Sequence, residues 1–232
     1  MQAEYYPVFL SLNDRVCLVV GGGPVGERKI RGLLRSGALI RIVAEQLTPW
    51  LESECKDGRF RLVGASYRET QLDDVDMVFV ATSNAALNLK IAEDARRRRV
   101  WCNMATDPGA GSFIVPSVFQ RGPLAVAIST SGLSPAMARE IRKILEDQFG
   151  SEWALSLTLI GHLRSAIQAK KLDVSENQRI FRELAALPLA DWIRRGQCDQ
   201  ARAAVARTCS PWLSQEEVNK PWDEIWKSSS SL

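Results

Sequence analysis

The stretch Arg15–Gly37, RVCLVVGGGPVGERKIRGLLRSG, decides the fold. Val16–Val20 is an unbroken apolar run, the pattern of a short strand buried on both faces rather than one with a wet side. After the three glycines, Val25, Ile30, Leu33 and Leu34 recur at helical spacing, with Pro24 in the first turn and Gly37 past the end. Gly21, Gly23 and Gly26 therefore form G-x-G-x-x-G at a strand-to-helix junction. Small residues there let the backbone approach a diphosphate, and unpaired amides at the positive end of the helix dipole face its charge. Gly21, Gly22, Gly23, Pro24, Val25 and Gly26 are the candidate cofactor contacts; a tight turn without a ligand is the competing reading.

Outward from this junction, LIRIVAEQ is a second strand that ends near Glu45 and Gln46. Glu45 lies nineteen residues after Gly26, where an acid accepts a hydrogen bond from a ribose 2′-hydroxyl and repels a 2′-phosphate. This points to NAD, against the alternative of a solvated loop acid; Arg41, inside the strand, works against the preference. DMVFVATSN (Asp76–Asn84) and VWCNMAT (Val100–Thr106) are two more strands. Between them ALNLKIAEDARRRR carries Leu87, Ile91 and Ala95 on one helical face. Thr82 and Ser83 end a strand at the same crevice and either line the cofactor or are ordinary small loop residues. The region 50–75 is less regular, though RFRLVGASY adds a candidate strand. Alternating strands and helices predict an α/β fold, a Rossmann-like doubly wound parallel sheet over residues 1–113.

Beyond Phe113 the pattern changes. PLAVAIST reads as a strand, and Ser134 with Pro135 opens a helix, so residues 114–150 form a small α+β segment. Leu155, Leu159, Leu163 and Ile167 recur at four-residue steps, and residues 151–226 are expected to form a helical domain. Residues 227–232, with their serines, are expected to be a disordered tail.

The 232 residues carry 30 Lys and Arg against 27 Asp and Glu, so a net charge of +3 excludes a chain that binds nucleic acid through bulk charge. Five scattered cysteines without a C-x-x-C pair argue against a disulfide framework or a zinc cluster. His162 is the single histidine and falls in a helical stretch, so no metal site is expected. The N-terminal residues lack the cationic start and apolar run of a secretory signal, and no run of about 18 apolar residues occurs. A cytoplasmic protein with no membrane association is expected.

YYPVFLSLNDRVCLVVGGGPVGERKIRGLL, then VATSNAALN, then CN and FIVPSVFQRGPLAVAISTSGLSPAMAREIRKILE, in this order, resemble the precorrin-2 dehydrogenase and sirohydrochlorin ferrochelatase family, which also forms the front half of siroheme synthases. The resemblance covers about residues 5–150 well and the helical remainder loosely. It implies NAD-dependent oxidation of precorrin-2 to sirohydrochlorin, ferrochelatase activity in some members, and a homodimer built through residues 114–150. The implied substrate is a tetrapyrrole with many carboxylates, which gives Arg121 and Arg139 a use as planar carboxylate clamps. Ser129, Thr130 and Ser131 are candidate hydrogen-bond donors to the same arms; for Ser134 the helix cap is preferred. Arg96–Arg99 is read first as a solvated helix end that complements the dipole, with substrate binding second.

In the family the key acid follows a strand-end Asn by three positions. Here Asn103 is followed by Met104, Ala105 and then Thr106 in the acid's slot, with Asp107 one residue later. Asp107 is the candidate catalytic base. Three readings stand: Asp107 substitutes for the family acid, dehydrogenation proceeds by cofactor positioning with the acid serving metal insertion, or the chain binds a tetrapyrrole without turnover. A turn role for Asp107 in Asp-Pro-Gly has equal standing. A non-catalytic NAD-responsive or tetrapyrrole-binding regulatory module is the alternative to an enzyme.

Overall fold

The computed structural model describes residues 5–229. By their contacts these fall into two compact units, one running to Val115 and including Ser131–Leu133, the other holding Pro116–Thr130 and the chain from Ser134 onward.

The first unit is built on five parallel strands, β1 (Val16–Val20), β2 (Leu39–Val43), β3 (Arg61–Gly64), β4 (Met77–Val80) and β5 (Trp101–Met104), in the order β3-β2-β1-β4-β5. β1 is central, paired with β2 from Val16 opposite Leu39 and with β4 from Cys17 opposite Met77. Its apolar run buries both faces because alternate side chains enter two different layers. Cys17 and Val19 join Ile40, Ile42, Met77 and Phe79 against Ile30 and Leu33 of helix α1 (Pro24–Leu34) and Leu51 of α2 (Pro49–Lys56). Leu18 and Val20 join Val78, Val80, Cys102 and Met104 against Ile91 and Ala95 of α3 (Ala85–Arg98). This is the predicted doubly wound fold. The chain leaves β1 toward β3 and then returns to β4 on β1's other side, so a crevice opens at the carboxyl ends of β1 and β4, where such folds bind ligands.

α2 was not legible beforehand, and the predicted strand within residues 59–67 is β3. The N-terminal end of β1 is fastened by Asp76, which accepts from the Val16 amide at 2.8 Å and from Arg15 at 2.9 Å. All five cysteines are free, and burial pushes the thiols of Cys17, Cys102 and Cys209 up to about 11, which suits packing rather than reactivity.

In the second unit β6 (Ser117–Arg121) and β7 (Leu124–Ile128) form an antiparallel hairpin. Its two-residue turn has Gly122 at φ +52 in the first central position, where a type II′ hairpin turn takes glycine, followed by Pro123. Helix α4 (Pro135–Gln148) starts at Ser134, whose hydroxyl accepts from the Met137 amide at 3.1 Å. α4 and α5 (Ser151–Ala169) both pack on the hairpin, and Phe119, Phe149 and Trp153 stack in series at that junction. The sequence divides this stretch at residue 150, yet α5 makes the hairpin segment and the helical remainder one compact unit.

Leu159, Leu163 and Ile167 of α5 form the helical core with Ile180 and Leu184 of α6 (Val174–Ala186) and Leu189 of α7 (Leu189–Arg194). Val205 of α8 (Cys198–Cys209) and Trp222 of α9 (Gln215–Ser229) complete it. Of the tail expected at residues 227–232, residues 227–229 belong to α9, which continues through Ser229; the last three residues lie outside the described ones.

Candidate functional site

The glycine turn is shaped by three close approaches. Gly21 has φ +119, and a methyl group there would strike the Ala81 carbonyl at the end of β4. At Gly22 a methyl group would collide with the Gln46 carbonyl, and at Gly26 with the Gly21 carbonyl. Gly23 differs: a methyl group would meet nothing within 4 Å. α1 begins on Gly23 as its N-cap with no side-chain hydrogen bond closing it, so its first-turn amides have no capping acceptor. An uncapped helix end facing open space beyond a close-packed glycine turn fits a dinucleotide diphosphate. Pro24 sits at the first helical position, where its missing amide costs no hydrogen bond.

Beside this turn Ala44, Glu45, Gln46, Leu47, Glu52 and Leu62 line a recess of about 470 Å³. The structure thus places Glu45 and Gln46 beside the glycine turn and adds Glu52 from α2, which sequence reasoning missed. Neither Glu45 nor Glu52 forms a salt bridge with a described residue, so the recess carries two unpaired carboxylates. Such a surface favours hydroxyls over a phosphate.

Across the crevice a buried amide organises the ends of β4 and β5. Asn88, 1% exposed on α3, donates from Nδ2 to the Thr82 carbonyl at 3.0 Å and to Thr106 Oγ1 at 3.4 Å. Its Oδ1 accepts from Thr82 Oγ1 at 2.5 Å. Thr82 and Thr106 are thereby tied to one residue that was not singled out beforehand. The available signal was an amide on the apolar face of a predicted helix, between Leu87 and Ile91. Ser83 is exposed beside Thr82. Asp107 is also exposed; its Oδ1 accepts from the Gly109 amide at 3.0 Å, the turn-forming bond expected of Asp-Pro-Gly.

In the second unit Arg121 lies 3.2 Å from Glu146, which Arg142 also grips, so two guanidiniums share one carboxylate. Arg139 is exposed and forms no ion pair with a described residue. Thr130 Oγ1 accepts from the Ser134 amide at 3.2 Å and donates to the Ser134 carbonyl at 3.0 Å, which braces the turn before α4. Ser129 is exposed at the end of this segment, and Ser131, with φ +51, belongs by its contacts to the first unit.

The arginine run behaves as a helix end. Arg97 pairs with Asp94 and Glu69, Arg98 with Glu69 and Asp73, and Arg99 closes α3 in the left-handed conformation. His162 is exposed on α5. Among the described residues no group of three or more His, Cys, Asp or Glu side chains is placed to hold a metal ion.

Residues 8–117 match a family model described as "Putative NAD(P)-binding", and residues 121–148 match one described as "Sirohaem biosynthesis protein central". The chain is 37% identical over 199 residues to siroheme synthase 1 of Serratia proteamaculans (strain 568), covering 86% of this chain and 42% of that protein. It is 33% identical over 220 residues to the siroheme synthase of Escherichia coli O139:H28, covering 95% of this chain and 46% of the relative. The chain thus spans less than half the length of these curated relatives. A solved structure titled SirC, precorrin-2 dehydrogenase, superposes with a TM-score of 0.70 at 26% identity, covering 96% of this chain and all of that one. With its glycine junction and middle segment each matched in order, and with a full-length structural counterpart, the chain belongs to the precorrin-2 dehydrogenase and siroheme synthase family.

Proposed function

We propose that the protein is an NAD-dependent precorrin-2 dehydrogenase that forms sirohydrochlorin. The observation that carries this reading is the uncapped start of α1 at Gly23, open in front and flanked by the acid-lined recess, in a chain that matches SirC over its whole length. The oxidised nicotinamide of a bound NAD supplies the acceptor for a hydride. The amides of Gly22, Gly23, Val25 and Gly26 bind its diphosphate, Glu45 and Gln46 hold the adenosine ribose, and Glu52 adds charge that disfavours a 2′-phosphate. Thr82 and Ser83 line the cofactor from the β4 side.

Removal of a hydride from the macrocycle must be accompanied by loss of a proton. Asp107 takes it: Oδ1 is committed to the Gly109 amide, and Oδ2 makes no hydrogen bond with the described residues. Arg121, Arg139, Ser129, Thr130 and Ser131 hold carboxylate arms of the substrate, with Glu146 restraining Arg121. The enzyme is a homodimer built through the middle segment and works in the cytoplasm. Support for the dimer comes from the exposed apolar side chains of Val118, Met137 and Ile144 in that segment. No helix among the described residues is long and apolar enough to cross a membrane.

The test supplies precorrin-2 and NAD and follows sirohydrochlorin and NADH together by absorbance. Equimolar formation of both is expected, with a loss of about 10²-fold or more for Asp107→Ala and a smaller one for Thr106→Ala. Tetrapyrrole binding without NADH formation would instead favour a regulatory module. Ferrous ion added to sirohydrochlorin, against a protein-free control, tests metal insertion separately.

A further inference from the structure

Between the glycine turn and the acid-lined recess runs one connected set of bonds, and it centres on a carboxylate in an unexpected place. Glu27 is the fourth residue of α1, the helix whose N-terminus faces the diphosphate position. A bare carboxylate so near that end would oppose an anionic ligand. Both of its oxygens are engaged instead. Oε2 accepts from Thr48 Oγ1 at 2.6 Å, while Oε1 accepts from Arg31 Nε at 2.8 Å and lies 2.7 Å from Arg31 Nη2. The bond from Thr48 and the pairing with Arg31 hold the Glu27 carboxyl below the usual carboxylate range. The Arg31 guanidinium lies 3.7 Å from the centre of the Trp50 ring on α2.

Thr48 serves three partners at once. Its amide donates to the Gly22 carbonyl at 3.1 Å, its hydroxyl oxygen caps α2 by accepting from the Leu51 amide at 3.3 Å, and its hydroxyl proton goes to Glu27. Residues 44–47, which line the recess, therefore hang between the end of β2 and a threonine tied both to the glycine turn and to α1.

We propose that Glu27 and Thr48 are positioning residues for the dinucleotide, a clip that fixes the ribose-reading turn against the diphosphate-reading turn and spends the Glu27 charge internally. The inference rests on the cofactor reading above. A positioned pair of subsites binds a two-ended ligand more tightly than the same subsites left mobile, because the ordering cost is already met in the free protein.

The test is NAD affinity by titration calorimetry, with KM and kcat alongside. Thr48→Asp keeps an acceptor for the Leu51 amide, and Asp is as good a helix cap as Thr. It lacks the proton for Glu27 and sets a second carboxylate against the first. About a tenfold rise in Kd is expected, the magnitude of one charged hydrogen bond lost, appearing in the KM for NAD rather than in kcat. Thr48→Ser, which keeps the donor, restores tight binding. The double variant Glu27→Gln with Thr48→Asp recovers most of the affinity, because the new amide donates to the new carboxylate. Melting temperatures measured without NAD separate a general loss of stability from a loss of positioning. A Thr48→Asp affinity equal to the parent's, or a double variant no tighter than the single one, overturns the clip while leaving the cofactor reading intact. A parent protein that binds no NAD overturns both.

Discussion

A methyl group on Gly23 would project into open space, whereas one on Gly26 would strike the Gly21 carbonyl, so two glycines of the same motif separate ligand binding from folding. Gly23→Ala is expected to melt within about 2 °C of the parent yet bind NAD at least tenfold more weakly, since its methyl occupies the space that the diphosphate needs. Gly26→Ala should lose stability as well; calorimetry and thermal melts on both variants check this. Asn88 carries a different prediction. Asn88→Leu keeps the branching of the side chain but removes both of its bonds to Thr82, leaving that hydroxyl only Asn84, which should cost about 1–3 kcal/mol in urea unfolding with little change in m-value. Thr106→Val removes only the 3.4 Å bond and should cost under about 0.5 kcal/mol. Gly21–Gly26 and Glu45 were legible because spacing along the chain places them. Asn88, Glu52 and Thr48 were not, because an exposed polar residue and a buried bridging one are spelled identically in sequence.

Among the elements, β1, α1, β2, β3, β4, α3, β5, β7 and α4 were readable from apolar runs, helical spacing and caps. α2 was not. It is eight residues long with Leu51 as its one buried residue, so it leaves no periodic signature. The start of α5 carries one acid-sensitive contact. Glu152 is nearly buried, and burial, the largest single influence, pushes its pKa up; the hydrogen bonds from Arg194 at 2.5 and 3.1 Å, backbone hydrogen bonds at Glu152 and Gly150 and the Arg194 charge together outweigh it and leave the carboxyl below its ordinary value. A carboxyl lowered by folding stabilises the protein above its unfolded pKa, about 4.3, and that contribution fades as pH falls through the folded value. The melting temperature should therefore drop between about pH 5 and pH 3. Glu152→Gln should start lower at pH 7 and fall less over the same window; parallel melts of the two proteins decide it.

At the scale of the molecule, the apolar side chains of Met137 and Ile144, exposed on α4 of a single chain, belong to the proposed dimer. Met137→Glu with Ile144→Glu is expected to halve the mass seen by light scattering without loss of helix content by circular dichroism. An unchanged mass would remove that face from the interface. What the amino-acid order determined by itself was the doubly wound unit, its glycine junction and the helical character of the second half. Those follow from local periodicity and backbone chemistry, which each segment carries wherever it is put. Only the tertiary structure decided that Thr48 meets Glu27, that Asn88 joins Thr82 to Thr106, and that the hairpin and the helical remainder form one unit. These pairings bring together side chains equally content in water, and only the packing of the sheets and helices around them makes one partner available and excludes the solvent.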